Sequence, residues 1–153
     1  LISSDGEKYS PEGIEEALVE KSPYIDQVML YNNQCATTTA LVVANKDALK
    51  RQIKESGFAA ESEEGRKAAL QILEAELARF KKGGEFYGMF PERWLPSSFA
   101  VLAEPFTEQN QMINSTMKMV RPKIEKAYKE RIDYMYSSEG KQTLNPQNME
   151  AVL

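Results

Sequence analysis

The stretch IDQVMLYNNQCATTTALVVA, residues 25–44, carries two strand patterns separated by a polar turn. In the first pattern, residues 25–31, Val28 and Leu30 fall on one face because successive strand side chains alternate. The second pattern, residues 37–44, is apolar on both faces in its second half, which is typical of a central strand. The stretch therefore predicts an antiparallel hairpin whose second strand lies in the middle of a sheet.

The residues before this hairpin predict a smaller hairpin and a helix. Residues 1–10 are strand-like around Asp5-Gly6, a dipeptide that is common in two-residue hairpin turns. Ser10 and Pro11 then match a helix N-cap followed by proline in the first helical position. We expect that helix to end near residue 20.

The residues after the hairpin predict three more helices and one more strand. Asn45 is placed to cap a helix that Gly57 ends, and helical spacing continues over residues 63–81. A third strand is predicted at residues 98–102, followed by a polar loop and a last helix starting at Pro122.

Together these elements predict an α+β domain with a small, mostly antiparallel three-stranded sheet, an N-terminal hairpin and packed helices. We expect residues 1–136 to form the domain and residues 137–153 to form a loose polar tail. The chain starts at Leu1 within a strand-like segment, and we expect it to be a piece of a longer protein.

Composition excludes several classes of function. The 153 residues, 42% hydrophobic and 27% charged, suit one globular domain. The net charge of -4 argues against nucleic acid as a partner. The chain has no histidine, which excludes Ser-His-Asp and Cys-His triads and histidine zinc ligands, and we predict no metal site. A single cysteine, Cys35, excludes an internal disulfide and favours a reducing, cytoplasmic compartment.

A lone lysine in the sequence STMKMVRP, residues 115–122, raises a question about function. Loop lysines are mostly solvated surface charges, and the residues alone favour that interpretation for Lys118. A compact ammonium on a long stem can also reach out of its own domain and meet an anion held elsewhere. The residues by themselves leave both interpretations open.

Two segments resemble the signature motifs of the C-terminal domain of adenylate-forming enzymes, the AMP-binding superfamily. The first is DGEKYSPEGIEEAL, residues 5–18, and the second is FTEQNQMINSTMKMVRPKIEKAY, residues 106–128. The pattern Gly-x-(Arg/Lys)-x-x-Pro-x-x-Ile-Glu is met by Gly6, Lys8, Pro11, Ile14 and Glu15. The second segment is similar to the long-chain fatty-acid–CoA ligase (acyl-CoA synthetase) branch at Phe106, Thr107, Asn110, Thr116, Lys118 and Arg121.

The resemblance extends over most of the chain and has three departures in the lysine loop. The segment SPYIDQVMLYNN is also similar to a strand segment of the family, and the likeness runs from Leu1 to about residue 136. Gln111, Asn114 and Ser115 stand where the family usually has Gly, Thr and Pro. These departures concern the conformation of the loop and leave the lysine in place.

The resemblance implies that the whole enzyme uses ATP, Mg²⁺ and coenzyme A. A fatty acid would be converted to an acyl-adenylate and then to a CoA thioester. The large N-terminal domain that binds ATP and acid would be missing from this fragment and would be the partner of this domain. Lys118 would be the catalytic residue, bridging the carboxylate and phosphate oxygens during adenylation.

The resemblance also assigns the remaining candidate residues. Gly6, Glu7 and Lys8 would line the pantetheine path on the CoA side after a rigid-body swing of the domain. The Lys118 loop and the hairpin should therefore lie on different faces. Thr116 and Arg121 would support the loop, and a contact of Arg121 with a CoA phosphate is an equal alternative.

Several alternatives stay open at this point. The acceptor could be an acyl carrier protein or the acid a shorter one, because the acyl pocket is in the missing domain. A non-catalytic α+β module that docks through its basic segment, residues 118–129, is a rival of another class. We expect the fragment alone to be inactive, and the full-length protein to be cytoplasmic, with peripheral membrane contact left open.

Overall fold

The computed structural model describes residues 1–153, which form six α-helices, one 3-10 helix and five strands. The strands are β1 (Ile2–Ser3), β2 (Ile25–Tyr31), β3 (Asn33–Cys35), β4 (Thr38–Ala44) and β5 (Pro96–Val101). The helices are α1 (Glu12–Lys21), α2 (Lys46–Glu55), α3 (Glu63–Ala78), α4 (Arg121–Ala127), α5 (Lys129–Met135) and α6 (Pro146–Ala151), and the 3-10 helix is Glu92–Trp94. The α+β class is confirmed.

The hairpin predicted from residues 25–44 is present. Strands β2 and β4 are antiparallel, with Val28 opposite Val42 and Leu30 opposite Ala40. Strand β4 is buried along its whole length and lies between β2 and β5, as the apolar pattern predicted. The connection between β2 and β4 is more than a turn, because β3 within it pairs in parallel with β1.

The direction of β5 corrects one part of the prediction. Strand β5 is parallel to β4, with Thr38 opposite Pro96 and Val42 opposite Val101, so the sheet is mixed rather than mostly antiparallel. The physical reason is the connection, since α2 and α3 carry the chain back to the end of the sheet where β4 begins. A crossover of this kind joins parallel strands.

The two faces of the sheet support separate apolar clusters. Val28, Leu30 and Val42 face a cluster that includes residues of α1, α2 and α3. Met29 and Leu41 point the other way, into a cluster with residues of α4 and α5. Alternation along each strand therefore divides the helices between the two faces.

The helix termini confirm some predictions and correct others. The Asn45 side chain accepts a hydrogen bond from the Ala48 N–H (3.1 Å), and Gly57 has a φ of +91° after α2. Ser10 is not the N-cap, because its hydroxyl donates to the Glu12 carboxylate (2.6 Å) and α1 begins at Glu12. Helix α3 ends at Ala78, before the predicted residue 81.

The predicted last helix is divided in two. Tyr128 has φ -112° and ψ 22° and separates α4 from α5. Its N–H still donates to the Ile124 carbonyl (3.0 Å), so the division is a local irregularity between two short helices. Ile124 and Ile132 are both buried in the same cluster.

The expectation that residues 137–153 form a loose polar tail is wrong. Helix α6 packs against α3 and β5. Val152 is fully buried in the apolar cluster that includes residues of α1, α2 and α3. The Asn148 amide accepts a hydrogen bond from the Val101 N–H (2.9 Å) and donates one to the Phe99 carbonyl (3.0 Å). The polar residues of this segment thus pair with backbone groups of β5 that would otherwise lack partners. None of the helices is both long and apolar enough to cross a membrane.

Candidate functional site

The loop that carries the candidate lysine, residues 107–120, is called the Lys118 loop below. Its first part is attached to the sheet, because Gln27 and the buried Phe106 exchange two hydrogen bonds (2.8 and 3.0 Å) between the Gln27 amide and the Phe106 backbone. Asn110 then accepts from the N–H groups of Thr107 (3.0 Å) and Met112 (3.1 Å). The loop is therefore an ordered structure at its start.

Asn114 organises the tip of the Lys118 loop. Its side-chain oxygen accepts from the Thr116 N–H (3.0 Å), the Thr116 hydroxyl (2.7 Å) and the Lys118 N–H (3.0 Å). The Asn114 N–H in turn donates to the Lys118 carbonyl (2.9 Å). Asparagine side chains stabilise turns in this way. Asn114, which stands where the family usually has threonine, therefore stabilises the tip of the loop through its own side chain.

Two residues of the loop have left-handed backbone conformations. Gln111 has a φ of +64° and Met117 a φ of +65°. For residues other than Gly, Asn and Asp this conformation costs about 1–2 kcal/mol. Gln111 stands where adenylate-forming enzymes usually have glycine. The left-handed backbone conformation explains why glycine suits that position.

The structure places Lys118 at an exposed position with a free ammonium group. Its Nζ makes no hydrogen bond and no ion pair, and the preceding Met117 is 72% exposed. A groove of about 960 Å³ between the loop, α1 and the start of β2 is lined by Glu12, Glu15, Glu16, Val19, Glu20, Asp26, Gln27, Val28, Ile113, Met117, Lys118, Met119 and Arg121. The geometry presents an exposed, unpaired cation on an ordered turn.

Arg121 is attached to α1 rather than to the loop tip. Its Nη1 donates to Glu15 (2.9 Å) and its Nη2 to the other Glu15 oxygen, while Glu15 also accepts from the Leu30 N–H (2.7 Å). Burial lowers the pKa of Arg121, but the hydrogen bonds and charge of Glu15 outweigh burial and raise it overall. Arg121 therefore fixes the point where the Lys118 loop enters α4.

The N-terminal hairpin has a tight turn, but its central residues are Ser4 and Asp5, so it lies one residue before the predicted two-residue turn at Asp5-Gly6. The Gly6 N–H donates to the Ser3 carbonyl (3.1 Å), and Ile2 forms an antiparallel bridge with Lys8. Gly6 has a φ of +88°, and a Cβ there would meet no atom within 4 Å. The glycine is therefore required by its backbone conformation and not by a neighbouring group of this chain.

Glu7 is held by two residues of the 3-10 helix. Arg93 donates to both carboxylate oxygens, from Nε (2.7 Å) and Nη2 (2.8 Å), and the Trp94 indole N–H donates to Oε1 (2.9 Å). These hydrogen bonds, with Arg93 first and Trp94 second, lower the pKa of Glu7. The trio Glu7, Arg93 and Trp94 is called the Glu7 clamp below.

The sequence contains no direct indication of the partners of Glu7 and Glu15. Neither Arg93 nor Trp94 is among the candidate residues predicted from the sequence. The Glu15–Arg121 pair had one signal in the sequence, since both residues belong to the two resembling motifs. The contacts of Arg93 and Trp94 had none.

The candidate residues form two groups that share no hydrogen bond or ion pair. Lys118, Thr116 and Arg121 belong to the loop beside α1 and the start of β2. Gly6, Glu7 and Lys8 belong to the hairpin, which packs against the 3-10 helix and β3. The Lys8 side chain is exposed and without a partner. The use of the two groups in different steps stays a prediction.

Several known proteins are similar to this chain in sequence. No protein-family model matches the chain. It is 26% identical over 140 residues to long chain acyl-CoA synthetase 8 of Arabidopsis thaliana, covering 85% of this chain and 18% of that protein. It is 28% identical over 127 residues to carboxylic acid reductase of Mycobacterium tuberculosis, covering 80% of this chain and 9% of that protein.

A solved structure has a similar fold. The adenylation domain of a carboxylate reductase from Mycobacterium chelonae matches with a TM-score of 0.68 and 26% identity, covering 89% of this chain and 19% of that one. Sequence and fold together indicate a C-terminal domain of the adenylate-forming superfamily. A didomain of carboxylic acid reductase from Segniliparus rugosus, solved in complex with AMP, matches with a TM-score of 0.67 and 25% identity, over 89% of this chain and 17% of that one.

The relatives of this chain differ in what their names say they act on. A further one is a chloroplastic long-chain-fatty-acid–[acyl-carrier-protein] ligase of Arabidopsis thaliana, 25% identical over 137 residues, covering 90% of this chain and 16% of that protein. The chain spans less than a fifth of the length of these curated relatives. Their names include a synthetase, a reductase and a ligase, so they leave the acceptor undecided.

Proposed function

We propose that this domain supplies the adenylation lysine, Lys118, to a long-chain fatty-acid–CoA ligase. The observation that carries the proposal is the exposed, unpaired ammonium of Lys118 on a turn that Asn114 orders. An ammonium in this setting keeps its reach, while Asn114 holds the backbone that carries it. The large domain that binds ATP, Mg²⁺ and the acid would be a separate part of the whole protein.

The first half-reaction needs a cation and no base. The acid is already ionised near neutral pH, and its carboxylate attacks the α-phosphate of ATP with loss of pyrophosphate. Negative charge then gathers between two anions that repel each other. The ammonium of Lys118 would bridge a carboxylate oxygen and a phosphate oxygen, which both positions the reactants and stabilises the transition state. A chain without histidine can do this work.

The second half-reaction would use the other group of residues. The thiol of CoA attacks the acyl-adenylate carbonyl and AMP leaves. The backbone of the hairpin around Gly6, Glu7 and Lys8 would line the thiol path after the domain turns about its connection to the large domain. Mg²⁺ would bind with ATP on the large domain.

A carrier-protein acceptor is the second candidate. One relative is by name an acyl-[acyl-carrier-protein] ligase, and another match contains an adenylation domain joined to a carrier domain. Both candidates share the adenylation step, so they make the same demand on Lys118. Supplying either CoA or a carrier protein to preformed acyl-adenylate distinguishes them. A cytoplasmic location with peripheral membrane contact is part of the same proposal.

The test uses Lys118→Ala in the protein that carries this domain behind its large domain. We expect pyrophosphate exchange with palmitate to fall by about 10²-fold or more, while CoA transfer to preformed palmitoyl-adenylate is retained. Lys126→Ala is the matched control, because Lys126 is exposed on α4 and has no partner. A docking module would instead lose binding equally in both variants, with a strong salt dependence. Unchanged pyrophosphate exchange in Lys118→Ala would refute the proposal.

A further inference from the structure

The Glu7 clamp joins two parts of the chain that are 86 residues apart. Arg93 meets the Glu7 carboxylate with two parallel hydrogen bonds, the geometry in which a guanidinium binds a carboxylate most specifically. The Trp94 indole adds a third hydrogen bond to the same carboxylate. Such a set fixes the direction of the side chain as well as its distance.

A second contact holds Tyr9, two residues after Glu7. The rings of Trp94 and Tyr9 stack in parallel, with centroids 5.2 Å apart and an interplanar angle of 5°. The Tyr9 hydroxyl is hydrogen-bonded to Thr38, at the start of the central strand β4. The hairpin is therefore attached through Glu7 to the 3-10 helix and through Tyr9 to the sheet.

These contacts change the role that Glu7 can have. Both carboxylate oxygens already accept hydrogen bonds from this chain, and these bonds direct the Glu7 side chain toward the 3-10 helix. Lys8, the next residue, has an exposed side chain without a partner. With the Glu7 side chain held in this direction, the backbone from Gly6 to Lys8 and the exposed Lys8 side chain are the groups that the hairpin presents most freely to a ligand.

We propose that Arg93 and Trp94 are positioning residues for the thiol-transfer step, which act by holding the hairpin backbone through Glu7. This inference rests on the proposed function, because it takes the hairpin to line the thiol path. A narrow path for a thiol depends on backbone placement, and a displacement of about 1 Å can cost 10²-fold in rate. Adenylation should not depend on the clamp, because no hydrogen bond or ion pair joins the hairpin to the Lys118 loop.

The test compares three variants with a matched control. Arg93→Ala removes the bidentate pair, Arg93→Lys keeps the charge without the planar fork, and Trp94→Phe keeps a ring beside Tyr9 while removing the N–H donor. Arg51→Ala is the control, since Arg51 is exposed on α2 and makes no ion pair. In this chain, amide exchange at residues 6–8 should accelerate in Arg93→Ala and Trp94→Phe and stay unchanged in Arg51→Ala.

The kinetic part of the test uses the whole enzyme. In Arg93→Ala we expect kcat/KM for CoA to fall by about tenfold or more, with pyrophosphate exchange unchanged and partial recovery in Arg93→Lys. Unchanged amide exchange, or unchanged CoA transfer in Arg93→Ala while Lys118→Ala abolishes pyrophosphate exchange, would overturn the clamp proposal alone. Unchanged pyrophosphate exchange in Lys118→Ala would instead overturn the proposed function, so the two failures are distinguishable.

Discussion

The guanidinium of Arg121 forms a bidentate ion pair with the carboxylate of Glu15, 106 residues earlier in the chain. Glu15 is buried, with only 6% of its side chain exposed, whereas 27% of the Arg121 side chain is exposed. The pair joins the last residue of the first motif to the residue that begins α4. The ion pair therefore fixes the position of the end of the Lys118 loop relative to α1.

Removal of Arg121 should destabilise the domain. In Arg121→Ala the Glu15 carboxylate would stay buried with only the Leu30 N–H as a partner, and we expect a loss of about 3 kcal/mol in the free energy of unfolding. Urea denaturation measures this loss. Arg51→Ala, on an exposed helix face, should change the free energy of unfolding by less than about 0.5 kcal/mol. Equal stabilities of the two variants would contradict the importance of the ion pair.

Replacement of Gln111 by glycine should stabilise the domain. Its φ of +64° is strained for a side chain, so Gln111→Gly should raise the free energy of unfolding by about 0.5–1 kcal/mol. Loss of the hydrogen bond from Lys123 to the Gln111 side chain (3.0 Å) is a small cost at an exposed site. Gln111→Ala is the control, because it loses that hydrogen bond and keeps the strain. A thermal unfolding series in which glycine is no better than alanine would refute the strain argument.

Asn114 should matter more for the order of the Lys118 loop than for global stability. Asn114→Ala removes the acceptor of three hydrogen bonds at the loop tip. We expect NMR order parameters of residues 115–118 to fall below about 0.6, with adenylation by the whole enzyme reduced in parallel. Asn114→Asp keeps an acceptor and should retain the order of the loop. An ordered tip in Asn114→Ala would show that other contacts hold it.

Helix α6 should be required for stability because of one buried amide. Asn148→Ala would leave the Val101 N–H and the Phe99 carbonyl of β5 without partners, at a cost of about 2–4 kcal/mol. Chemical denaturation measures this cost. Glu150→Ala, exposed on the same helix, should be close to neutral. A small effect of Asn148→Ala would mean that solvent replaces the lost amide.

The Glu7 clamp predicts a specific acid dependence. The pKa of Glu7 is lowered in the folded domain, chiefly by Arg93, so the ionised carboxylate favours the folded state. This contribution is complete above the unfolded-state pKa of about 4.3 and is lost as the pH falls through the lower folded-state value. Glu7→Gln should therefore lose less stability than the unchanged protein between about pH 6 and pH 3. Thermal unfolding at these pH values measures the difference. If stability depended on pH in the same way in Glu7→Gln and in the unchanged protein, the link between Glu7 ionisation and folding would be contradicted.

Much of the fold follows from local sequence. Alternating apolar residues place β2 and β4, the Asn45 side chain and Gly57 delimit α2, and Gly6 closes the first turn, because each depends on residues only a few positions apart. The two motifs were also visible in the sequence, including the lysine that the loop exposes. These features need no knowledge of which elements become neighbours.

Only the tertiary structure decided the direction of β5, the packing of α6 and the partners of Glu7 and Glu15. Each depends on contacts between residues far apart in the chain: 86 positions for Glu7 and Arg93, 106 for Glu15 and Arg121, and 49 for Phe99 and Asn148. A charged or amide side chain has the same local preferences whether it faces solvent or a distant partner. Its role is set by burial, which removes water and makes the pairing necessary.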